Sequence, residues 1–492
     1  MRVLHNSMAK KSIKRNYIYN VSYQILVLLT PLITTPYLSR VIGADGIGTV
    51  SYAESIVSYF TLFATLGITT FGQREISYVQ ESKDKRIQIF WEIKILEIIT
   101  SAIVIVSYIP FALMQQNRSI YLILIFNLLA VMVDVTWFFQ GMEEFGKIVF
   151  RNLIFKIVNI IYIFGIVKSK NDLNLYVFGI ALFLFLSNAS LWGYLPKYVE
   201  KVNWKELKPI RNLKAVLTLF VPTIAIQVYT ALDKTMIGLI THSSFENGYY
   251  EQAIKISKMA LMLVTSLGVV MIPRIGYHYR RDELETVRLY MYRGYRFVWF
   301  LGIPLCFGLI GIASNFVPWF YGDGFEKVIP LLCVLSFLIL AIGINNVTGM
   351  QYLIPTKRQN LFTITVVVGA CVNFILNSVL ITLWQSVGAA IASVAAETSI
   401  AVIQLIIVRK ELSLLKVLKE GTHYYIAGII MLGVVYIMGN VLSPSIIHTG
   451  IMVLTGATVY FAALLILRDQ FFISNIRAIV SKIFNRGGKN NV

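Results

Sequence analysis

The sequence has few charged residues and few cysteines. Only 14% of its 492 residues are Asp, Glu, Lys or Arg, against about 25% in an ordinary soluble domain. The three cysteines are odd in number and lack the C-x-x-C spacing of metal and redox sites, and the five histidines are dispersed along the chain. These shortages exclude a disulfide framework and a typical soluble fold, and we expect neither a metal site nor a cofactor.

The sequence contains many long apolar runs. Hydrophobic residues make up 57% of the chain, the mean hydropathy is +0.70, and a membrane-spanning helix needs about 20 mostly apolar residues. The sequence therefore predicts an all-α, polytopic membrane protein with about 14 transmembrane helices, of which the eleventh and twelfth are the hardest to separate. The predicted spans are 17–42, 47–72, 89–111, 119–141, 148–167, 174–195, 215–241, 252–273, 294–314, 328–352, 359–383, 386–408, 423–441 and 447–467.

The net charge of +19 comes mainly from Lys and Arg residues in the loops between the predicted spans. Of the 44 basic residues, 33 fall on one side of the predicted spans and four on the other. Basic residues accumulate in cytoplasmic loops, so the pattern predicts that both termini are cytoplasmic. We expect no nucleic-acid partner, because nucleic-acid binding needs a basic face on a soluble domain.

The connections between the predicted spans are short. None exceeds about 20 residues, which excludes an attached ATPase or a soluble catalytic domain. The string Gly141–Ile148 follows the Walker A spacing up to its last position, where Ile148 cannot supply a hydroxyl for magnesium. Residues 1–15 are basic and lead into an apolar stretch without a small-residue cleavage site, so we expect an uncleaved first span.

An internal repeat is visible near the start of each half. Leu38–Gly43 followed by Gly48–Ala53 has a counterpart in Asp233–Gly238 followed by Gly248–Ala253. Transporters are often built from duplicated halves, although short Gly/Ala patterns can also agree by chance. We predict a six-helix lobe at 1–210, a second at 211–410, and an additional helix pair with a tail at 411–492.

Several charged residues fall inside the predicted spans, where each costs about 2.5–3.5 kcal/mol. Cations with a few carboxylates suit a substrate that carries phosphate. Alternatively, the basic residues near the outer boundary reach the interface, and Asp233 and Lys234 neutralise one another. The candidate cavity charges are Arg40, Glu54, Asp233, Lys234, Lys255 and Lys258.

Asp134 and Glu397 lie deeper in their spans and are candidates for ion coupling. A carboxyl group in a low-dielectric setting can carry a proton, but each could equally be a structural hydrogen-bonding group. Lys94 and Glu97 lie near the cytoplasmic end of the third span, where we expect their side chains to reach the interface.

The order of these motifs resembles that of a known family. The run from Asn20 to Ala53, which includes Pro36–Gly48, is followed by Trp137–Glu143 after the fourth span and by Asp233–Gly238 in the seventh. The sequence resembles the Wzx-type polysaccharide repeat-unit flippases of the multidrug/oligosaccharidyl-lipid/polysaccharide exporter superfamily. The likeness covers essentially the whole chain.

The resemblance implies a transporter, with no enzyme activity, in the bacterial cytoplasmic membrane. Its substrate would be an undecaprenyl-diphosphate-linked oligosaccharide, moved to the outer leaflet for O-antigen or capsule assembly by ion-coupled alternating access. Membrane lipid and the polysaccharide polymerase and chain-length machinery are the implied partners. By similarity, Arg40, Asp233 and Lys234 would be cavity charges.

Three alternatives remain open at this point. A multidrug exporter of the same superfamily would favour an acidic, aromatic cavity, whereas a lipid II flippase would share both the helix count and the cationic cavity. A polysaccharide polymerase or glycosyltransferase would also be polytopic, but such enzymes usually carry a large outer loop or a soluble domain.

Overall fold

A computed structural model describes residues 26–27, 29–200, 202, 204–475 and 477. Within this part the chain is nearly all helical and contains no strand. It forms two compact units, Met1–Gly248 and Tyr249–Val492. The start of the first predicted span, residues 17–25, lies outside the described residues.

Seven helices account for most of the first unit, and an eighth helix begins at its end. They are α1 (29–41), α2 (Gly43–Thr65, continued by Ile68–Tyr78), α3 (Lys83–Met114), α4 (Arg118–Gly141), α5 (Phe145–Ile166), α6 (Lys170–Lys197), α7 (Leu213–Thr241) and α8 (Ser244–Thr265, continued by Gly268–Arg280).

The second unit contains most of α8 and six further helices. They are α9 (Leu284–Tyr321), α10 (Val328–Leu353), α11 (359–384) and α12 (386–408) within Gln359–Val408, α13 (Leu414–Val441) and α14 (Ile446–Ile466). A boundary at residue 248 follows contact density, whereas the predicted division at 210 and 410 follows the repeat, so that division stays a prediction.

The helices confirm the polytopic all-α architecture. Among the described residues, ten helices are long and apolar enough to cross a membrane, and the two bent parts of α8 raise the number to eleven if they form one span. One of the ten, Gln359–Val408, contains two predicted spans. Each of the 14 predicted spans overlaps one of the helices α1–α14.

The chain reverses between α11 and α12 at Gln385. This residue has φ 54° and ψ −129°, outside the helical region, and Lys327 donates a 2.6 Å hydrogen bond to its side-chain oxygen. A Cβ at Gly388 would lie 2.0 Å from the carbonyl oxygen of Leu380, so only glycine lets the two helices leave this turn so close together.

The second helix of each sequence repeat is broken at the same position. α2 is interrupted at Leu66 and Gly67, which have φ values of 46° and 79°. α8 is interrupted at Ser266 and Leu267, and Leu267 has a helical φ of −61°. A glycine with positive φ is the usual way to end a helix, and of these two breaks only the one in α2 contains it. The repeat thus extends beyond the short motifs by which the sequence reveals it.

The starts of α2 and α8 cross at two glycines. A Cβ at Gly48 would lie 1.7 Å from the carbonyl oxygen of Ser244, and one at Gly248 would lie 2.0 Å from the carbonyl oxygen of Ala44. The contact is reciprocal, since 48 and 248 are equivalent positions of the repeat, as are 44 and 244. A side chain at either glycine would force the helices apart.

Each unit has its own aromatic core. In the first unit Phe90 on α3 stacks on Trp137 of α4, with ring centroids 5.6 Å apart. In the second unit α13 packs on α9 through Trp299, whose indole N–H donates a 3.0 Å hydrogen bond to the carbonyl oxygen of Val417. These cores fix the positions of the helices that carry the polar side chains described below.

Candidate functional site

α2 and α7 meet along a polar contact, which we call the α2–α7 seam. The buried Thr235 hydroxyl lies 3.1 Å from both Ser55 Oγ and Tyr59 Oη. One turn further along α7, a Cβ at Gly238 would lie 2.2 Å from the ring of Tyr52. Tyr52, Ser55 and Tyr59 share one face of α2 because they are three and four residues apart, so the seam joins one face of each helix.

A buried amide holds α7 beside this seam. In the orientation that satisfies both of its partners, the side chain of Asn247 donates a 2.9 Å hydrogen bond to the carbonyl oxygen of Lys234 and accepts a 3.1 Å bond from the N–H of Gly238. In a regular helix these two backbone groups bond to each other. A polar side chain at such a point is a recognised cause of local helix distortion, and here it acts at Lys234.

The predicted charges of the first unit lie near the seam. Asp233 and Lys234 are half-buried and directly precede Thr235, and the half-buried Glu54 directly precedes Ser55. The structure thus places these three residues on two helices that pack together at adjacent positions. Residues next to one another along a helix point in different directions, so the three side chains need not share one surface.

Arg40 is exposed and lies near the end of α1. Its side chain donates a 2.6 Å hydrogen bond to the carbonyl oxygen of Pro36 on the same helix. An exposed arginine that returns to its own backbone is compatible both with a cavity role and with the interfacial alternative.

Lys255 and Lys258 belong to the second unit. Lys255 Nζ lies 3.6 Å from Glu251 Oε1, one turn earlier on α8, and Lys258 is exposed. Both positions fall on the matched helix of the repeat, and their role stays a prediction.

Asp134 occupies a break in α4, between the helical segments that end at Met132 and begin at Thr136. Its carboxylate accepts hydrogen bonds from the Thr136 N–H at 2.9 Å and from the Thr136 hydroxyl at 2.5 Å. Its backbone carbonyl accepts a 2.7 Å bond from Lys94 Nζ. The carboxylate therefore has a partner, Thr136, only two residues further along the chain.

Lys94 and Glu97 form a fully buried ion pair, and the interfacial interpretation of these two residues is wrong. Their side chains are 0% and 1% exposed, and Nζ lies 2.8 Å from Oε2. Trp137 donates a 3.4 Å hydrogen bond to the same carboxylate, and Lys94 Nζ lies 5.7 Å from the centre of the Trp192 ring. Hydropathy locates a residue along a helix but does not give the direction of its side chain. The side chains of Lys94 and Glu97 both point toward α4.

Glu397 has a partner on another helix of the second unit. The side-chain amide of Asn345, on α10, donates to the Glu397 carboxylate at 2.5 Å and to its backbone carbonyl at 3.1 Å. Glu397 therefore links α12 to α10. No group of three or more His, Cys, Asp or Glu residues in the described part of the chain is arranged to hold a metal ion.

The seam and the buried ion pair were both missed by sequence reasoning. The signals were weak: Ser55, Tyr59 and Thr235 are polar residues in apolar spans, and the spacing of Lys94 and Glu97 by three residues allows a pair on one helix face. Neither pattern indicates which neighbouring helix supplies the other partners.

The fold matches solved structures of one class of transporter. "Lipid II flippase MurJ, inward closed conformation" superposes with a TM-score of 0.72 at 16% identity, covering 93% of this chain and 99% of that chain. An outward-facing MATE family multidrug transporter of the MOP superfamily gives 0.56 at 14% identity, covering 83% and 96%. The fold is thus that of the multidrug/oligosaccharidyl-lipid/polysaccharide exporters, which are multi-pass membrane proteins.

Within that class, the chain belongs to the family described as polysaccharide biosynthesis protein, whose model matches residues 13–277. A relative from Escherichia coli (strain K12), named "Putative O-antigen transporter", is 24% identical over 411 residues, which cover 81% of this chain and 97% of that protein. The family, the relative and the fold confirm the interpretation as a Wzx-type flippase, a transporter rather than an enzyme.

Proposed function

We propose that the protein carries an undecaprenyl-diphosphate-linked oligosaccharide from the cytoplasmic to the outer leaflet of the bacterial cytoplasmic membrane. The product would serve O-antigen, capsule or exopolysaccharide assembly. Both termini would be cytoplasmic, and the polymerase and chain-length machinery would receive the translocated unit.

One observation supports this proposal above the others. The family-matched segment, residues 13–277, contains every charge proposed to face the substrate: Arg40, Glu54, Asp233, Lys234, Lys255 and Lys258. A diphosphate needs cations in a region where bare charge is prohibitive. Four of these six residues are Arg or Lys, whereas a drug exporter would favour acidic and aromatic residues.

The α2–α7 seam supports a role for Asp233 and Lys234 in particular. Thr235 ties α7 to α2 by side-chain hydrogen bonds, and Asn247 holds the backbone at Lys234 and Gly238. Functional side chains that neighbouring hydrogen-bonded side chains hold in place keep their geometry during turnover. We therefore propose that Lys234 contacts the diphosphate and that Asp233 sets the orientation of the Lys234 side chain. Positive charge along the path would come from Arg40, Lys255 and Lys258.

Ion coupling is assigned in this proposal to Asp134 or Glu397. Each lies in the interior of one unit, and each accepts a hydrogen bond from a neutral side chain, Thr136 or Asn345. A protonated Asp134 would donate to the Thr136 hydroxyl, whereas a protonated Glu397 could donate to Asn345 only after the amide turned its oxygen toward the carboxyl group. Either rearrangement would trigger alternating access in this proposal. Asp134→Asn and Glu397→Gln separate the two, because only the carrier's variant should lose the dependence of transport on an imposed pH gradient.

Transport in liposomes tests the proposal. Purified protein is reconstituted with a fluorescent undecaprenyl-diphosphate oligosaccharide, and protected label is measured with and without a pH gradient. We expect gradient-dependent translocation that falls at least about tenfold in Lys234→Ala and Arg40→Ala, because losing a charge-assisted contact costs about 1.5–3 kcal/mol.

Arg74→Ala is the matched control, because Arg74 is an exposed arginine of the same unit that pairs with its neighbour Glu75. It should transport like the wild type. Translocation no higher than in empty liposomes, for a wild-type protein verified as folded, would overturn the proposal and favour the multidrug branch.

A further inference from the structure

The first unit contains a cavity of about 530 Å³ whose lining includes none of the charged residues proposed above to face the substrate. It opens where three turns meet: the α1–α2 turn with Asp45, the α3–α4 turn at 115–117, and the α7–α8 turn at 242–244. The basic loops 73–88 and 196–214 lie at the other ends of these helices, so the positive-inside rule assigns the cavity to the outer face. Its volume is within the range of small-ligand pockets.

The lining of this outer pocket presents polar groups without protein partners. In the described part of the chain, the side-chain amides of Gln116 and Asn117, the His242 ring and the hydroxyls of Tyr52 and Tyr121 make no hydrogen bond to protein. The remaining polar groups include the carboxylate of Asp45, which accepts a hydrogen bond from the Ser244 hydroxyl and retains a second oxygen. The pocket therefore offers both donors and acceptors to a ligand.

The charge of the pocket selects among ligands. Asp45 is its one carboxylate, and no Lys or Arg is among the lining residues, all of which the structure describes. The cation Lys170 lies nearby, with its Cε beside Gly43 but outside the lining. Phosphates and carboxylates have no counter-charge in this pocket, so the ligand it suits is neutral and rich in hydroxyl groups.

The pocket is also held in shape before any ligand arrives. Its α2 wall is fixed to α8 by the close contacts at Gly48 and Gly248, and its Tyr52 ring is packed against Gly238. Buried Asn247 anchors its floor to the α7 backbone. Preformed sites lose less entropy on binding, which suits a weakly bound sugar.

We propose that this outer pocket binds one or two neutral sugar residues through Asp45, Gln116, Asn117 and the two tyrosines. The binding itself is independent of the proposed function. Only the source of the sugar depends on it: the head of the lipid-linked oligosaccharide after it reaches the outer face, or a free glycan outside the cell.

Sugar binding is measured first, without transport. Saturation-transfer difference NMR on the full-length protein in nanodiscs uses glucose, galactose and N-acetylglucosamine as neutral probes, with glucuronic acid as the charged probe. We expect saturable binding of at least one neutral sugar with a Kd on the order of 1 mM, and glucuronic acid should bind at least about tenfold more weakly because of Asp45.

The double variant Gln116→Ala/Asn117→Ala should weaken neutral-sugar binding at least about tenfold. Neither side chain bonds to the protein, and Asn117 makes no helix-capping bond, so the fold should survive. Gln359→Ala/Asn360→Ala is the matched control, because this exposed pair begins α11 in the second unit. Absence of saturable binding, equal binding of glucuronic acid, or unchanged binding in the pocket variant would each overturn the inference.

The liposome assay then identifies the source and separates the two proposals. Slower translocation by the Gln116→Ala/Asn117→Ala variant, with sugar binding lost, assigns the pocket to the substrate's sugars. Normal translocation with sugar binding lost assigns it to a free glycan. A wild type that translocates but binds no sugar overturns the pocket and leaves the proposed function intact, whereas one that binds sugar but does not translocate does the reverse.

Discussion

The two units fill the same internal position with different chemistry. In the first unit Lys94 of α3 reaches α4 and forms a buried ion pair with Glu97. In the second unit Tyr295 of α9 lies at the corresponding place, 201 residues later, and its hydroxyl is 2.8 Å from that of Thr348 on α10. The first contact is charged and the second neutral, yet both side chains are fully buried.

This difference indicates that the ion pair is not there for stability. In the second unit a neutral pair joins α9 to α10, and a buried ion pair is often no more stabilising than apolar residues of similar volume. The charged version also bonds to the backbone of Asp134, a candidate for ion coupling. We therefore infer that the buried ion pair contributes to the function of the first unit rather than to its stability.

Removing one partner of the ion pair should have the largest effect. Lys94→Met leaves the Glu97 carboxylate buried without its cation, and we expect a loss of about 3–5 kcal/mol in unfolding free energy. The measurement is reversible denaturation in detergent, or the shift in melting temperature where unfolding is irreversible.

The double variant Lys94→Met/Glu97→Leu is the control for that experiment. With both charges gone the cost should largely disappear, and replacing the pair can even be stabilising by about 1–4 kcal/mol. A double variant as unstable as Lys94→Met would contradict the view that the pair is dispensable for folding.

The neutral pair should respond more weakly. Tyr295→Phe removes one hydroxyl and leaves that of Thr348 with its bond to the Ile344 carbonyl, so the expected loss is about 1–2 kcal/mol. Thr348→Val is its companion variant, and the two losses should not be additive because they remove the same bond. A loss as large as that of Lys94→Met would erase the contrast between the units.

A second contrast lies just after α6 in the first unit and just after α12 in the second, the last helices of the two predicted six-helix lobes. In the first unit Tyr198, just after α6, donates a 2.7 Å hydrogen bond to Glu144 between α4 and α5, and Lys147 Nζ lies 4.1 Å from its ring centre. In the second unit Glu411, just after α12, accepts bonds of 2.7 and 2.9 Å from Arg358 between α10 and α11. The residue that follows the helix carries a phenol in the first junction and a carboxylate in the second.

The two junctions should respond to opposite ends of the pH scale. Burial alone would raise the pKa of Glu411, but hydrogen bonds from Arg358 and Tyr352 outweigh it and hold the pKa below its usual value. A lowered pKa gives stabilisation that is present above the unfolded value of about 4.3 and is lost as the pH falls through the folded value.

Burial and the bond to Glu144 raise the pKa of Tyr198 to about 12. Its contribution is complete below the unfolded value of about 10 and is lost as the pH rises through the folded value. We expect the smallest effect of the series here: faster hydrogen exchange at 409–413 only in acid and at 198–200 only in strong base. Equal responses of both segments at either extreme would contradict this assignment.

Much of the fold was predictable from the sequence, because hydropathy and loop charge respond directly to the bilayer. The helices overlap all 14 predicted spans, and the separation of α11 from α12 at Gln385 was anticipated even though no proline or glycine occupies that position. The repeat was visible at Gly48 and Gly248, the residues that make the reciprocal contact.

The arrangement of the site was less predictable, since it depends on side-chain direction. Asp233 and Lys234 stood out as charges in an apolar span, but nothing in the sequence indicated that Asn247 bonds the backbone beside them. Lys94 and Glu97 were expected to reach the interface and instead form a buried pair, because a helix near the interface can turn a charge toward lipid headgroups or toward its neighbours.

The glycine crossing also constrains the order of biosynthesis. Gly48 contacts Ser244 and Gly248, so α2 cannot acquire its partner until about 200 further residues have been made, which takes roughly 10–40 s at a translation rate of 5–20 residues per second. During that interval α2 lacks this neighbour. The first unit is therefore completed only when its last residues have been made.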